Sequence, residues 1–392
     1  MSRVTVVGGG ILGTISALLA AQQDHAVLLV ERAPELWCGA SRANEGKVHL
    51  GPVFALGHTA THDLMLRGAL AFARVVERAL EMRLDWEQLA GDAFDYLAMP
   101  DSLASPAELS AVYARINDRL AAAVAHSGDR YLGRSLTRAV DPTVRTDPDT
   151  GLAAFRTEER AIDPRTLGER LTAAVLAHPG ITVLTGVSVT ALVHRADGSV
   201  DVGCRGSETF HADYVINCAW EDQQALAPEP VERNRLNYRV KAAVIVEPDF
   251  SARTVTMVQG PYGDVVRHPT YTYASWYPVG RLTNEHGHEP SDEARKDRDG
   301  IGVRLDLADR QVVALQNLGL LPASVRIREV VGGFILGHGP ADIDSVGSDL
   351  HERSEFGVHR SGPVLTPVNF KLTTAPLAAW QTARVLAELT VR

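Results

Sequence analysis

Cysteine is scarce in this chain: Cys38, Cys204 and Cys218 are the three among 392 residues. Odd in number and widely spaced, they form neither a disulfide framework nor a zinc pattern, and they fit a reducing, cytoplasmic setting. Basic tracts are missing as well. The net charge is −9, which argues against nucleic acid or an anionic membrane as the main partner. No uninterrupted apolar run reaches transmembrane length. The apolar stretch from Val4 to Ala21 is broken by glycines and reads as folded structure rather than a secretory signal. Internal repeats are absent.

What remains is ordinary for a globular protein. The hydrophobic share is 45% and the charged share 22%, and the length predicts two domains. The segment RVTVVGGGILGTISALLAAQQDHAVLLVER at the start reads as strand, tight turn, helix and strand. Val4 to Val7 form a continuous β-forming run, as in a buried parallel strand. Gly8, Gly10 and Gly13 make G-x-G-x-x-G at the turn into the helix, with Ile11 and Leu12 between them. Such glycines permit the turn, the approach of a pyrophosphate and close helix–strand packing. The helix N-terminus offers free N–H groups to phosphate. Glu31, with Arg32 beside it, ends the second strand where a carboxylate accepts hydrogen bonds from ribose hydroxyls. Its charge disfavours a 2′-phosphate, hence NADP. The motif predicts a dinucleotide and leaves FAD and NAD both open.

The next segment, RAPELWCGASRANEGKVHLGPVFALG, is polar and spaced by glycines. It resembles the segment after the second strand in the FAD-dependent family of D-amino-acid oxidase, glycine oxidase and the L-2-hydroxyglutarate and glycerol-3-phosphate dehydrogenases. Three further stretches carry the same resemblance: AIDPRTLGERLTAAVLAHPGITVLTGVSVTAL, HADYVINCAWEDQQAL and PVNFKLTTAPLAAWQTARVLAEL. The resemblance implies an α/β fold, α+β overall. A Rossmann-like FAD-binding domain would comprise residues 1–88, 151–225 and 327–392. A discontinuous, mostly antiparallel substrate domain would comprise 89–150 and 226–326. It implies non-covalent FAD, with Ser41, Asn44 and Gly46 along the pyrophosphate and ribitol, and Val189 where the family's backbone meets adenine. Ala219, Asn369, Lys371, Leu372 and Thr373 complete the expected cofactor contacts. Lys47 and His49 would lie near the flavin ring. His49 is the expected base, and Lys47 or Lys371 the positive charge that favours reoxidation by O2.

Two departures stand out. Trp220 follows Asn217-Cys218-Ala219 where the family usually has glycine, and Phe370 precedes Lys371 where glycine is also usual. The residues 367–370 lack the carboxylate-clamping arginine of the amino-acid oxidases. For the substrate, YTYASWYPVGR offers Tyr273 and Trp276, flanked by Arg267 and Arg281, either of which suits a carboxylate. Residues 284–300 read as a solvated loop, and no metal site is expected. The reading that emerges is oxidation of a C–N bond in a small amine or amino acid by hydride transfer to flavin. The alternatives are a flavin-dependent 2-hydroxy-acid dehydrogenase and a flavin-binding module without turnover.

Overall fold

A computed structural model describes residues 1–206, 209–227, 235–247 and 253–390. The chain starts as the pattern predicts. Strand β1 (Arg3–Val7), helix α1 (Ile11–Ala21) and strand β2 (Ala26–Val30) follow one another, and β1 and β2 pair in parallel. They sit within a six-stranded sheet. Tyr214–Asn217 pairs in parallel with the other edge of β1, Val364–Val368 lies beyond it, and Ile181–Leu184 lies outside β2. Gly357–Ser361 closes one edge antiparallel to its neighbour. All of α1 except Leu12 is buried, because the helix Ala375–Thr390 covers the side that the sheet does not. A helix buried all round needs apolar residues all round, and ILGTISALLAA supplies them.

The second layer is a nine-stranded, mostly antiparallel sheet. Its central strand, Leu236–Val246, pairs with Ile327–His338 along one edge and with Arg281–Gly287 and Thr272–Trp276 along the other. Strand periodicity sends Tyr238, Val240, Ala242, Val244 and Val246 into one core, which the helix Leu305–Asn317 covers. The alternate residues Arg239 and Lys241 therefore face the opposite way, toward a large cavity. This alternation puts charge at the site.

Two expectations need correction. The strands Ala153–Arg156 and Ile327–His338 belong to the nine-stranded sheet, although the predicted boundaries at 151 and 327 assign them to the nucleotide domain. Register with distant strands decides where the boundary falls. Residues 284–300 are not a loop: they hold the end of the strand Arg281–Gly287 and a helix, Asp292–Asp299. Ser291 caps that helix by accepting from the Ala294 N–H at 3.1 Å. Asp292 and Glu293 lie in the first turn and Lys296 and Arg298 in the last, the charge order that suits the helix dipole. Arg295 and Arg298 pair with Asp222 and Glu221 across the fold.

Candidate active site

One cavity of about 1080 Å³ runs from the first turn of α1 to the nine-stranded sheet. At its nucleotide end the chain leaves β1 through Gly8, Gly9 and Gly10. A β-carbon on Gly13 would stand 1.8 Å from the Gly8 carbonyl oxygen, so this approach of helix to strand admits glycine alone. The Ser41 hydroxyl accepts from the Ile11 N–H at 3.0 Å. Glu31 accepts from the Gly9 N–H at 2.6 Å and from the Ala33 N–H at 2.8 Å, which fixes its carboxylate at the cavity wall. Arg32 is drawn into a cluster with Glu221 and Asp222. The glycine cradle, the acid at the end of β2 and the length of the cavity fit a flavin dinucleotide.

At the far end the chemistry changes. The Lys47 ammonium is buried and bonded to Asp264 and Thr256. Lys241 stands 3.6 Å from the other oxygen of Asp264. Burial by itself would raise the Asp264 carboxyl, but Lys47 and Lys241 outweigh it and hold it well below the usual carboxylate range. Burial and Asp264 also press on Glu45, whose carboxyl is nevertheless kept low by Lys241, Lys47 and Lys371. For Lys371, burial dominates and lowers the ammonium to about 8. Glu45 resists this, while Arg353, Arg239 and Lys241 add repulsion. Its Nζ lies 5.3 Å from the centre of the Phe54 ring. Arg239 and Arg353 complete this cationic end of the cavity.

His49 lines the same cavity. Its ring is held by Glu159, a carboxylate with 0% exposure. The His49 Nδ1–H donates to Glu159 Oε2 at 3.0 Å, and the Leu50 N–H donates to Oε1 at 2.6 Å. The Tyr96 hydroxyl also donates to Oε2. Burial and the Glu159 charge push that hydroxyl well above its ordinary pKa, so it remains a donor. A carboxylate only accepts, so an imidazole with a single proton keeps it on Nδ1 against Glu159 and has its lone pair on Nε2. The His49 backbone N–H donates to Thr373 Oγ1 at 2.9 Å, tying the histidine to the C-terminal segment.

Most of the residues singled out from sequence meet in this cavity. Gly8, Gly10, Ile11, Leu12, Gly13, Glu31, Arg32, Ser41, Asn44, Lys47, His49, Val189, Ala219, Tyr273, Asn369, Lys371 and Leu372 all line it. Gly46 does not. Its φ is +81°, and a β-carbon there would meet the Ile162 carbonyl oxygen at 1.9 Å, so backbone packing requires the glycine. Thr373 supports His49 from behind the wall. Trp276 lies on the opposite face of its strand from Tyr273 and packs with the second core. Arg267 is exposed at a strand end, and Arg281 is paired with Asp342. None of Trp276, Arg267 and Arg281 reaches the cavity.

Trp220, the departure from glycine, lines the cavity with φ +53° and donates from Nε1 to the Phe334 carbonyl at 3.0 Å. It keeps the left-handed backbone that glycine adopts readily. Sequence reasoning missed Glu45, Glu159, Arg239, Lys241, Asp264 and Arg353. Arg239 and Lys241 carried a signal, since charges at alternate positions of an apolar strand mark a face that is not core. Glu159 carried none, since its partners His49, Leu50 and Tyr96 are distant in sequence, and Arg353 carried none, since only the fold buries it at the cavity.

Comparison with known proteins places these features. A family model described as FAD dependent oxidoreductase matches residues 3–344. No curated protein matches. Among solved structures, glycine oxidase from Geobacillus kaustophilus superposes with a TM-score of 0.65 at 16% identity, covering 99% of this chain and 95% of that one. NikD, an amino acid oxidase essential for nikkomycin biosynthesis, gives 0.65 at 17% identity, with the same coverage of 99% and 95%. L-alpha-glycerophosphate oxidase from Mycoplasma pneumoniae, with FAD bound, gives 0.62 at 17%, again covering 99% and 95%. At these identities the superpositions speak for the fold.

Proposed function

The chain belongs to the FAD dependent oxidoreductase family, and on that premise we propose that it oxidises the C–N bond of a small, anionic, amino-acid-like substrate. The observation that carries this reading is the His49–Glu159 pair opening onto a chamber lined by Lys371, Arg239 and Arg353. FAD is the cofactor, held without a covalent link along Gly8–Gly13, Glu31 and Ser41 at one end and residues 369–372 at the other. When bound, it supplies the acceptor for a hydride from the substrate carbon.

The protein's own part is binding and proton handling. Lys371 takes the substrate's carboxylate, since it lines the cavity, its ammonium packs on the Phe54 ring, and it has no hydrogen bond or ion pair to a carboxylate among the described residues. An ammonium substrate must lose a proton before its nitrogen lone pair can drive hydride loss. His49 Nε2 accepts that proton, and the buried Glu159 stabilises the imidazolium that results. Lys47, locked to Asp264 and Thr256, holds the floor of the chamber in place. Electrons pass on to O2, in the setting of a cytoplasmic enzyme.

The same dyad would take the proton of a hydroxyl, which favours a 2-hydroxy acid as the second reading. The test is a panel of amino acids, N-substituted glycines and 2-hydroxy acids mixed anaerobically with the yellow holoenzyme. Bleaching by amines, followed by hydrogen peroxide release in air, supports the first reading. Bleaching by hydroxy acids alone overturns it.

A further inference from the structure

Arg239 and Arg353 differ from the other arginines around them. Several arginines in the molecule have a buried nitrogen without a hydrogen-bond partner, among them Arg134, Arg160, Arg165 and Arg253. Each of those four is paired elsewhere on its guanidinium with a carboxylate. Arg239 and Arg353 have the same orphaned Nε, at 3% and 5% exposure, and no ion pair among the described residues. Arg239 donates to the Tyr277 hydroxyl at a long 3.3 Å. Arg353 donates to its neighbour's carbonyl, Glu352 O, at 2.6 Å and lies 5.9 Å from the centre of the Phe54 ring.

Two carboxylates stand by these groups, Asp342 through the Tyr277 hydroxyl and Glu352 next to Arg353 in the chain, and both are committed. Asp342 holds Arg281 and the Tyr277 hydroxyl. Glu352 holds the His58 N–H and the Thr61 hydroxyl. The two guanidiniums come from unrelated segments, one from the cavity face of the central strand and one from just after the turn Asp349–His351. Both line the cavity. They are close enough that burial and Arg239 together lower the Arg353 pKa.

Removing one partner of a buried ion pair is strongly destabilising, so two adjacent buried cations without counter-charge point to a ligand that supplies it. We propose that Arg239 and Arg353 bind a doubly charged tetrahedral oxyanion, of the phosphate-monoester kind, carried by the substrate as a second acidic group beside the one that Lys371 takes. A single carboxylate fills one guanidinium fork and neutralises one charge. A phosphate dianion offers three oxygens and meets both forks. The inference rests on the reading of this cavity as the substrate chamber.

Calorimetric titration of the FAD-loaded protein tests it, at a pH where inorganic phosphate is mostly doubly charged. Inorganic phosphate should bind at least about tenfold more tightly than acetate or malonate. Arg239→Gln and Arg353→Gln should each weaken phosphate by at least about tenfold while leaving the visible flavin spectrum in place. Acetate or malonate binding as tightly as phosphate would overturn the proposal, as would Gln variants with unchanged phosphate affinity. If both variants fail to fold, the anion ratio on the unmodified protein decides alone. Titration needs no turnover. Phosphate binding with no amine oxidised would therefore sink the proposed reaction and leave the anion site standing.

Discussion

Replacing Glu159 with glutamine changes one heavy atom and reverses two hydrogen bonds. In the native protein the Leu50 N–H, the Tyr96 hydroxyl and the His49 Nδ1–H all point at this carboxylate. Glutamine keeps one acceptor oxygen. If that oxygen stays with Leu50, which has no other way to turn, the NH2 faces Tyr96 and His49. The tyrosine hydroxyl rotates to accept. The imidazole must present a bare Nδ1, which moves its proton to Nε2 and leaves nothing there to receive a proton from substrate. Charge-assisted hydrogen bonds exceed neutral ones by roughly 1–1.5 kcal/mol each. Relief from burying a charge offsets much of that loss, so stability should fall by no more than about 2 kcal/mol and flavin should stay bound. The rate of anaerobic flavin bleaching by substrate should fall by ~10²–10⁴-fold, the range of a positioned general base. Stopped-flow absorbance of the visible flavin band measures it, with flavin content and melting temperature as controls. A normally folded, yellow Glu159→Gln protein that bleaches at the native rate with the native pH profile would refute the reasoning.

Lys371→Met should lower kcat/KM for a carboxylate substrate and remove an alkaline limb from its pH profile. The ammonium titrates at about 8 under burial and the charges of Glu45, Arg353, Arg239 and Lys241, so the native enzyme should lose affinity as pH rises through that value. The same lowering implies that native stability attributable to Lys371 rises between about 8 and its ordinary value of 10.5, because there the unfolded chain holds the proton and the folded one does not. Loss of that stability increment in urea titrations of Lys371→Met would check the sign. Lys47→Met strands Asp264 with Lys241 as its one remaining cation, and chemical denaturation should show a loss of about 3 kcal/mol. Gly13→Ala forces a β-carbon to within 1.8 Å of the Gly8 carbonyl; it should yield colourless protein or none, and a yellow variant with native flavin content would contradict the packing.

The nucleotide end was legible because its determinants are local. Gly8, Gly10, Gly13 and Glu31 stand on one strand–helix–strand unit, where spacing along the chain is spacing in space. The same holds for His49, carried by a segment whose resemblance gave it a destination. The helix Asp292–Asp299 was missed, because the polar, charged composition of residues 284–300 reads as a loop, although the Ser291 cap and the ordered charges carried the signal.

The chamber was not legible. Arg281, expected at the substrate, is neutralised by Asp342, some sixty positions later. Arg239, unremarked in its apolar strand, is left without counter-charge because pairing with Ile327–His338 and the packing of Leu305–Asn317 settle which face of Leu236–Val246 meets the core. Sequence by itself determined the glycine-lined turn from strand to helix and the acid that ends the second strand, because that unit is one continuous segment. Tertiary structure alone decided which charges are spent and which remain free for a substrate, because an ion pair is a property of two distant residues and of the burial that makes its absence costly.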